Sequence, residues 1–284
     1  MDLNEKLERL HEESDNYYEK NDYENALQCL NEIYEIDPDD LENLENMASI
    51  NLILKRYSES IEIAERLPED CWARYLIIGH YHNMANQKED TLKNYLKAHK
   101  LNPRHKTPLL NLAFLHKFEN EHEKAFEYTF KILEIDVNDI DALALLIELY
   151  LSTYQFEEVI AYSKRAMAIS DERDDIIYPA LAFSYLMTGK AERGWNCLVE
   201  AISKHPDDMG FYANLETYAF AINDEKKAMD IFNVATIKDP SSPEPYLALA
   251  MFYKSSGDLK NAKKYYEKYL EREDEHIAMD FDEF

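Results

Sequence analysis

The sequence predicts an all-α protein, a solenoid of antiparallel helix hairpins, and three observations support this prediction. Apolar residues recur at intervals of three and four along the chain, as they do on one face of an α-helix. This pattern returns with a period close to 34 residues. Only five glycines and nine prolines interrupt the 284 residues, which suits helices joined by short turns.

The last full repeat shows the repeating unit most clearly. Tyr246, Leu249 and Tyr253 mark one amphipathic helix, and a second helix begins a few residues before Ala262. Gly257 lies between them and supplies the left-handed backbone conformation that a tight turn between antiparallel helices needs. A single hairpin cannot bury its own apolar face, so we expect further copies along the chain.

Two positions at which hairpins must approach closely recur with steps of 34, 31, 34, 34, 35, 34 and 34 residues. In the second helix this small position is occupied by Ala26, Ser60, Thr91, Ala125, Val159, Gly194, Ala228 and Ala262. The corresponding first-helix position is occupied by Ser14, Ala48, Gly79, Ala113, Ile147, Ala182, Glu216 and Ala250. Eight copies in phase indicate eight hairpins that stack on their neighbours.

This pattern resembles the tetratricopeptide repeat, and the resemblance covers residues 7 to 276. It implies one domain over residues 1–276, folded as a right-handed superhelical solenoid (α-α superhelix) in which the first helices line a concave groove. The predicted repeats are 7–40, 41–70, 72–105, 106–139, 140–173, 175–208, 209–242 and 243–276, followed by an acidic and aromatic tail at 277–284.

The repeats differ in ways that predict local structure. The first helix of the first repeat is unusually polar, which is typical of an end repeat that faces water. The second repeat is three residues short and carries Pro68 directly after Leu67, so its second helix should end early. After the eighth repeat the chain has no room for a full additional helix, so either the tail or another molecule should cover the last hairpin.

Composition excludes several classes of partner. The net charge of −26 and the pI near 4.7 oppose binding to a nucleic-acid backbone or an anionic membrane surface. A protein or peptide partner with cationic or amphipathic character is favoured instead. The acidic residues also have a simpler interpretation, which is that they keep a long solenoid soluble.

The cysteines and the N-terminal segment predict a cytoplasmic protein. Cys29, Cys71 and Cys197 are odd in number and far apart, which favours small packing residues over a disulfide framework or a metal site. Residues 1–6 lack the charged and apolar regions of a signal peptide, and no apolar run is long enough to insert into a membrane.

The resemblance assigns the groove to side chains of the first helices, and in the middle repeats these are mostly apolar. The groove residues, as we call this predicted set, are Leu76, Ile77, His80, Met84, Leu110, Asn111, Phe114, Lys117, Phe118, Leu145, Glu148, Phe183, Met187, Asn214, Thr217, Phe220 and Met251. Apolar side chains would contact an amphipathic segment, and Asn111 and Asn214 would hydrogen-bond its backbone. The alternative is that some of these positions pack between helices or against one another.

One well-known use of the family is absent in its usual form. Chaperone-binding members hold a terminal carboxylate with a lysine and an asparagine four residues apart on one first helix. No lysine in this sequence is followed four residues later by asparagine. The sequence therefore argues against the C-terminal tails of Hsp70 or Hsp90 chaperones as ligands.

No catalytic or cofactor constellation is apparent, so we expect neither an enzyme nor a cofactor or metal site. His80 and His82 are two residues apart on a helix and point in different directions, which prevents them from binding one ion. The sequence contains no HExxH, no phosphate-binding glycine loop and no GxSxG motif.

The functional prediction is a protein-protein interaction scaffold or adaptor that binds a peptide in the groove. One alternative is a homo-oligomer formed through the last hairpin and the tail, with Tyr265, Tyr269, Phe281 and Phe284 as candidate contacts. Another is a regulatory or chaperone module of a larger complex whose chemistry lies on a different polypeptide.

Overall fold

The computed structural model describes residues 3–222 and 224–272, without the side chains at 216, 220–222 and 225. These residues contain sixteen α-helices and no strand, which confirms the predicted all-α fold. The tail, with Phe281 and Phe284, and the side chain of Phe220 lie outside the described residues. Contacts divide the chain into two compact units, residues 1–137 and 138–284, and each unit is described by itself.

The first unit consists of four hairpins. Its helices are α1 (Leu3–Glu19), α2 (Tyr23–Ile36), α3 (Leu41–Ile53), α4 (Tyr57–Ala64), α5 (Trp72–Met84), α6 (Lys88–Leu101), α7 (Lys106–Phe118) and α8 (His122–Ile135). Each helix packs against the next, and α3 also contacts α5. Apolar clusters lie at the junctions of consecutive hairpins, such as the one that joins Leu44 on α3 to Ile77 on α5.

The second unit also consists of four hairpins. Its helices are α9 (Ile140–Ser152), α10 (Phe156–Met167), α11 (Asp174–Met187), α12 (Ala191–Lys204), α13 (Met209–Ile222), α14 (Glu225–Lys238), α15 (Glu244–Ser255) and α16 (Leu259–Leu270). The first helices α9, α11, α13 and α15 contact one another in order. These four helices therefore form a row within the second unit.

The small position in the second helices is where the two helices of a hairpin approach most closely. Ala26, Ser60 and Val159 are fully buried, as are their counterparts in the other described hairpins. The Ser60 hydroxyl donates a hydrogen bond to the Ala48 carbonyl at 2.7 Å, so the two small positions of that hairpin face each other. A larger side chain here would push the helices apart, which is why the period is visible in the sequence.

The turn between the two helices of a hairpin uses a residue with a positive φ angle. Gly257 has φ 82°, and Asp258 then caps α16 by accepting a hydrogen bond from the Asn261 amide. Gly189 is similar with φ 73°. At the same place the other described turns have Asn21, Lys55, Asn86, Asn120 and Tyr154, with φ between 56° and 61°. The left-handed residue is therefore a common feature of the described hairpins.

The second hairpin deviates as its length predicts. Helix α4 has eight residues, whereas the other helices of the described chain have 12 to 17. The Arg74 guanidinium on α5 donates to the Glu65 and Leu67 carbonyls at 2.8 and 2.6 Å. One side chain of the next hairpin thus hydrogen-bonds to carbonyl groups at the end of the shortened helix, which would otherwise lack partners.

Candidate functional site

The groove residues lie on the first helices but differ widely in exposure. The clearly exposed ones are Met84 at 53 %, Phe118 at 79 %, Phe183 at 45 %, Met187 at 52 % and Met251 at 38 %. Asn214 and Thr217 are also exposed. Half-buried members are Leu76, His80, Leu110, Asn111, Phe114, Lys117 and Glu148. The exposed apolar side chains are the ones that can meet a ligand in this structure.

Two groove residues lie in the core. Ile77 is 3 % exposed and packs in a cluster with Leu44 and Leu67, and Leu145 is 1 % exposed. The cluster around Ile77 consists of side chains from the preceding hairpin. These two side chains stabilise the packing between helices and are not accessible to a ligand in this structure, which is the alternative interpretation that the sequence left open.

The polar groove residues already have partners within the chain. The Asn111 amide lies 2.8 Å from His80 Nε2, and the His80 ring meets Tyr95 edge to face. Burial lowers the pKa of His80, so the neutral ring accepts the hydrogen bond from Asn111. The Asn214 amide donates to the Gly210 carbonyl at 2.7 Å. A ligand backbone would have to displace these bonds to use either asparagine.

Three exposed apolar side chains of the first unit share one place in the hairpin, the last residue of the first helix. They are Ile53 on α3, Met84 on α5 and Phe118 on α7, and Ile53 is 42 % exposed. Phe118 borders a hollow of 210 Å³ that Leu115, Thr91 and Asn83 also line. This apolar row, Ile53, Met84 and Phe118, is the candidate contact surface of the first unit.

In the second unit two exposed aromatic side chains and a half-buried one form a connected cluster. Tyr154, which is 78 % exposed, meets Phe156 edge to face with ring centres 6.2 Å apart. Phe156 meets Phe183 in the same way at 5.9 Å. We call Tyr154, Phe156 and Phe183 the aromatic patch. Met187, the last residue of α11, lies one helical turn beyond Phe183.

Sequence reasoning missed Ile53 and Tyr154 as exposed residues and Phe156 as the half-buried ring between Tyr154 and Phe183. Ile53 could have been found, because it precedes Met84 by the same 31-residue step that separates the small positions. Tyr154 stands where the first, third and fourth hairpins carry asparagine. An aromatic residue at a turn position is the signal that the periodic comparison did not include.

A cavity in the second unit lies on the second helices, between α12 and α14. It has a volume of 360 Å³ and is lined mostly by apolar residues, among them Trp195, Ile231 and Val234. Lys227 lies over the Trp195 ring at 4.9 Å and forms an ion pair with Glu192 at 3.0 Å. This cleft is outside the predicted groove.

The tyrosines proposed for self-association already pack within the last hairpin. Tyr265 stacks on Tyr253 with ring centres 5.4 Å apart, and Tyr269 lies 5.8 Å from Tyr266. Both Tyr265 and Tyr269 are half-buried. Both rings therefore take part in packing within the last hairpin.

Burial affects the ionisation of a cysteine on α12. Burial raises the pKa of the Cys197 thiol to about 11, so this sulfur stays protonated at neutral pH. The described residues contain no group of three His, Cys, Asp or Glu side chains placed to hold a metal ion. None of the described helices combines the length and apolar character needed to cross a membrane.

Comparison with known proteins identifies the repeat. A family model described as tetratricopeptide repeat matches residues 7–40 and 243–276. The TPR repeat-containing protein MJ1428 of Methanocaldococcus jannaschii is 23 % identical over 282 residues, covering 89 % of this chain and 48 % of that protein. The chain thus spans about half the length of this curated relative.

Solved structures share the fold at low sequence identity. The crystal structure of the APC/C hetero-tetramer Cut9–Hcn1 aligns with a TM-score of 0.55 and 16 % identity, covering 91 % of this chain and 52 % of that one. A tetratricopeptide repeat protein from Parabacteroides merdae aligns with a TM-score of 0.54 and 17 % identity, covering 94 % and 99 %. At such identities the similarity shows the fold.

Proposed function

Because the chain belongs to the tetratricopeptide repeat family, we propose that it is a non-enzymatic scaffold that binds a peptide segment of a partner protein along its first helices. The observation that carries the proposal is the recurrence of exposed apolar side chains at the end of these helices. Ile53, Met84 and Phe118 occupy this place in the first unit, and Met187 occupies it in the second. Packing inside a hairpin does not require apolar residues there, whereas a partner surface does.

The character of the partner follows from charge. The chain has a net charge of −26, so a basic or amphipathic segment is attracted and an acidic one is repelled. The Cut9–Hcn1 neighbour is part of a hetero-tetramer, which is an example of this fold within a larger assembly. A role as the scaffold subunit of a complex is consistent with that use.

The test is capture of partners from a lysate of the organism that produces this protein, with crosslinking and mass spectrometry. Phe118→Ser and Phe183→Ser, made separately, remove exposed rings with little effect on the core. Phe130→Ser is the matched control, because Phe130 is also exposed, at 38 %, but lies on a second helix. Truncating a central interface anchor costs about 2 kcal/mol or more, which weakens binding roughly thirtyfold.

Two outcomes decide the proposal. A protein recovered by the wild type and by Phe130→Ser, but lost from Phe118→Ser or Phe183→Ser, would support binding along the first helices. Equal recovery by all four proteins would refute it.

Self-association through the tail remains the alternative prediction. Light scattering on the full chain and on a variant without residues 277–284 measures it directly. A mass that is twice the monomer for the full chain, and falls to the monomer in the shortened variant, would favour this alternative.

A further inference from the structure

The aromatic patch contains a residue whose backbone conformation is unfavourable. Seven described turns contain a residue with positive φ, and in six of them it is Asn, Gly or Lys. In the fifth hairpin it is Tyr154, with φ 59°. Glycine adopts this region freely and asparagine tolerates it, whereas a bulky side chain there is a clear outlier. The local backbone therefore does not explain why this position carries tyrosine.

Burial does not explain Tyr154 either. Its side chain is 78 % exposed, and its described ring contact is with Phe156 at 6.2 Å. A tyrosine that stabilised the hairpin would be expected to bury most of its ring. An unfavourable conformation combined with exposure is the pattern found where a residue is kept for recognition.

The charges around the patch select the ligand. The patch belongs to an acidic chain with a net charge of −26. Glu157, the neighbour of Phe156 in the sequence, forms an ion pair with Lys190, whose ammonium group lies 3.1 and 3.3 Å from its two carboxylate oxygens. The overall charge of the chain therefore favours a cationic ligand at the exposed rings.

We propose that the aromatic patch of Tyr154, Phe156 and Phe183 binds a lysine or arginine side chain of the partner peptide, together with an adjacent apolar residue. A cation over an exposed aromatic face is attracted by the ring, and the negative net charge of the chain adds to that attraction. The apolar neighbour packs against the exposed edge of Phe183 and against Met187. This inference rests on the proposed function, since it names the ligand chemistry of one part of the same surface.

The test uses a random peptide library displayed on phage as the probe, selected against the full chain. Peptides recovered on the wild type should be enriched in lysine or arginine next to an apolar residue. Tyr154→Asn installs the residue that the third and fourth hairpins use at this turn, Asn86 and Asn120. It should weaken binding of the selected peptides about tenfold, measured by fluorescence anisotropy.

The melting temperature of the same variant tests whether the backbone at Tyr154 is strained, because replacing an unstrained exposed residue would not change it. Tyr154→Asn should raise the melting temperature by about 2–4 °C, because the left-handed conformation becomes easier to adopt. The matched control is Asn120→Tyr in the fourth hairpin. It should lower the melting temperature and leave peptide binding unchanged.

The outcomes separate this inference from the proposed function. If selected peptides lose affinity with Phe118→Ser but bind Tyr154→Asn as tightly as the wild type, the patch is refuted and the scaffold proposal stands. Enrichment of acidic or purely apolar peptides would also refute the cation assignment. If no peptide is enriched, both proposals are overturned.

Discussion

Gly194 offers the sharpest test of how the hairpins pack. It occupies the small position of the second helix in the sixth hairpin, where most other hairpins carry alanine, serine or threonine. A Cβ atom added to Gly194 would overlap the Tyr218 hydroxyl from the next hairpin and would lie 2.7 Å from the Ala182 carbonyl oxygen. The structure therefore predicts that Gly194→Ala destabilises the second unit, although alanine normally strengthens a helix.

The magnitude follows from three contributions. Replacing glycine by alanine inside a helix usually gains about 1 kcal/mol. Overfilling a packed site costs about 1–3 kcal/mol. Moving Tyr218 aside also breaks the hydrogen bond that its hydroxyl donates to the Ala191 carbonyl at 2.6 Å, which costs about 1 kcal/mol more. The net effect on the free energy of unfolding is a loss of about 1–3 kcal/mol.

The assay is urea unfolding followed by Trp195 fluorescence. Trp195 is 2 % exposed, adjoins Gly194 in the chain, and lies 6.5 Å from the Tyr218 ring, so it reports on this site. A Trp72→Phe background removes the other tryptophan. The control is Gly210→Ala, because the new Cβ would meet only the end of the Asp208 side chain at 3.0 Å.

The control should leave the free energy of unfolding unchanged or raise it by up to about 1 kcal/mol, the usual gain for alanine in a helix. A Gly194→Ala variant that unfolds at the same or a higher urea concentration than the wild type would show that the hairpins are not packed as described. In that case the Tyr218 ring would have to lie elsewhere in solution.

Three further predictions use smaller changes. Burial lowers the pKa of His80, so as the pH falls below about 6.5 the unfolded chain binds a proton before the folded chain does, and the folded state loses stability. The His80→Gln variant should lose less stability than the wild type between pH 7 and 5, as measured by thermal unfolding. Burial also lowers the pKa of His105, whose ring stacks on Trp72 at 4.0 Å; tryptophan emission should change with a midpoint below pH 6.5, and His105→Gln should abolish the transition. Ser163→Ala should be neutral or stabilising because its buried hydroxyl has no hydrogen-bond partner in the structure, whereas Ser60→Ala should cost about 1 kcal/mol.

The hairpins could be predicted from the sequence because their period follows from a steric requirement. Two helices that approach closely need a small residue at the contact, and Ala26, Thr91 and Ala262 are all fully buried there. The early end of α4 was predictable for a similar reason, since Pro68 cannot continue a helix. These features depend on spacing alone.

The candidate site was less predictable because exposure depends on contacts between hairpins. A repeat position describes an average orientation, and Ile77 and Phe118 belong to the same predicted surface although one is buried and the other is 79 % exposed. The partnership of Asn111 with His80 depends on two side chains 31 residues apart. Tyr154 was missed because we expected a turn residue to be selected only for its backbone conformation.

The short helix α4 has a consequence for how the first unit opens. A row of hairpins is held by nearest-neighbour contacts, so the least stable hairpin decides where local unfolding begins. Helix α4 has two turns, and Arg74 on α5 donates hydrogen bonds to the Glu65 and Leu67 carbonyls in the segment that follows it. Any event that pulls α5 away, such as strain from a bound partner, would release α4 as well. The second hairpin would then unfold locally under load, while the hairpins on either side of it stay folded.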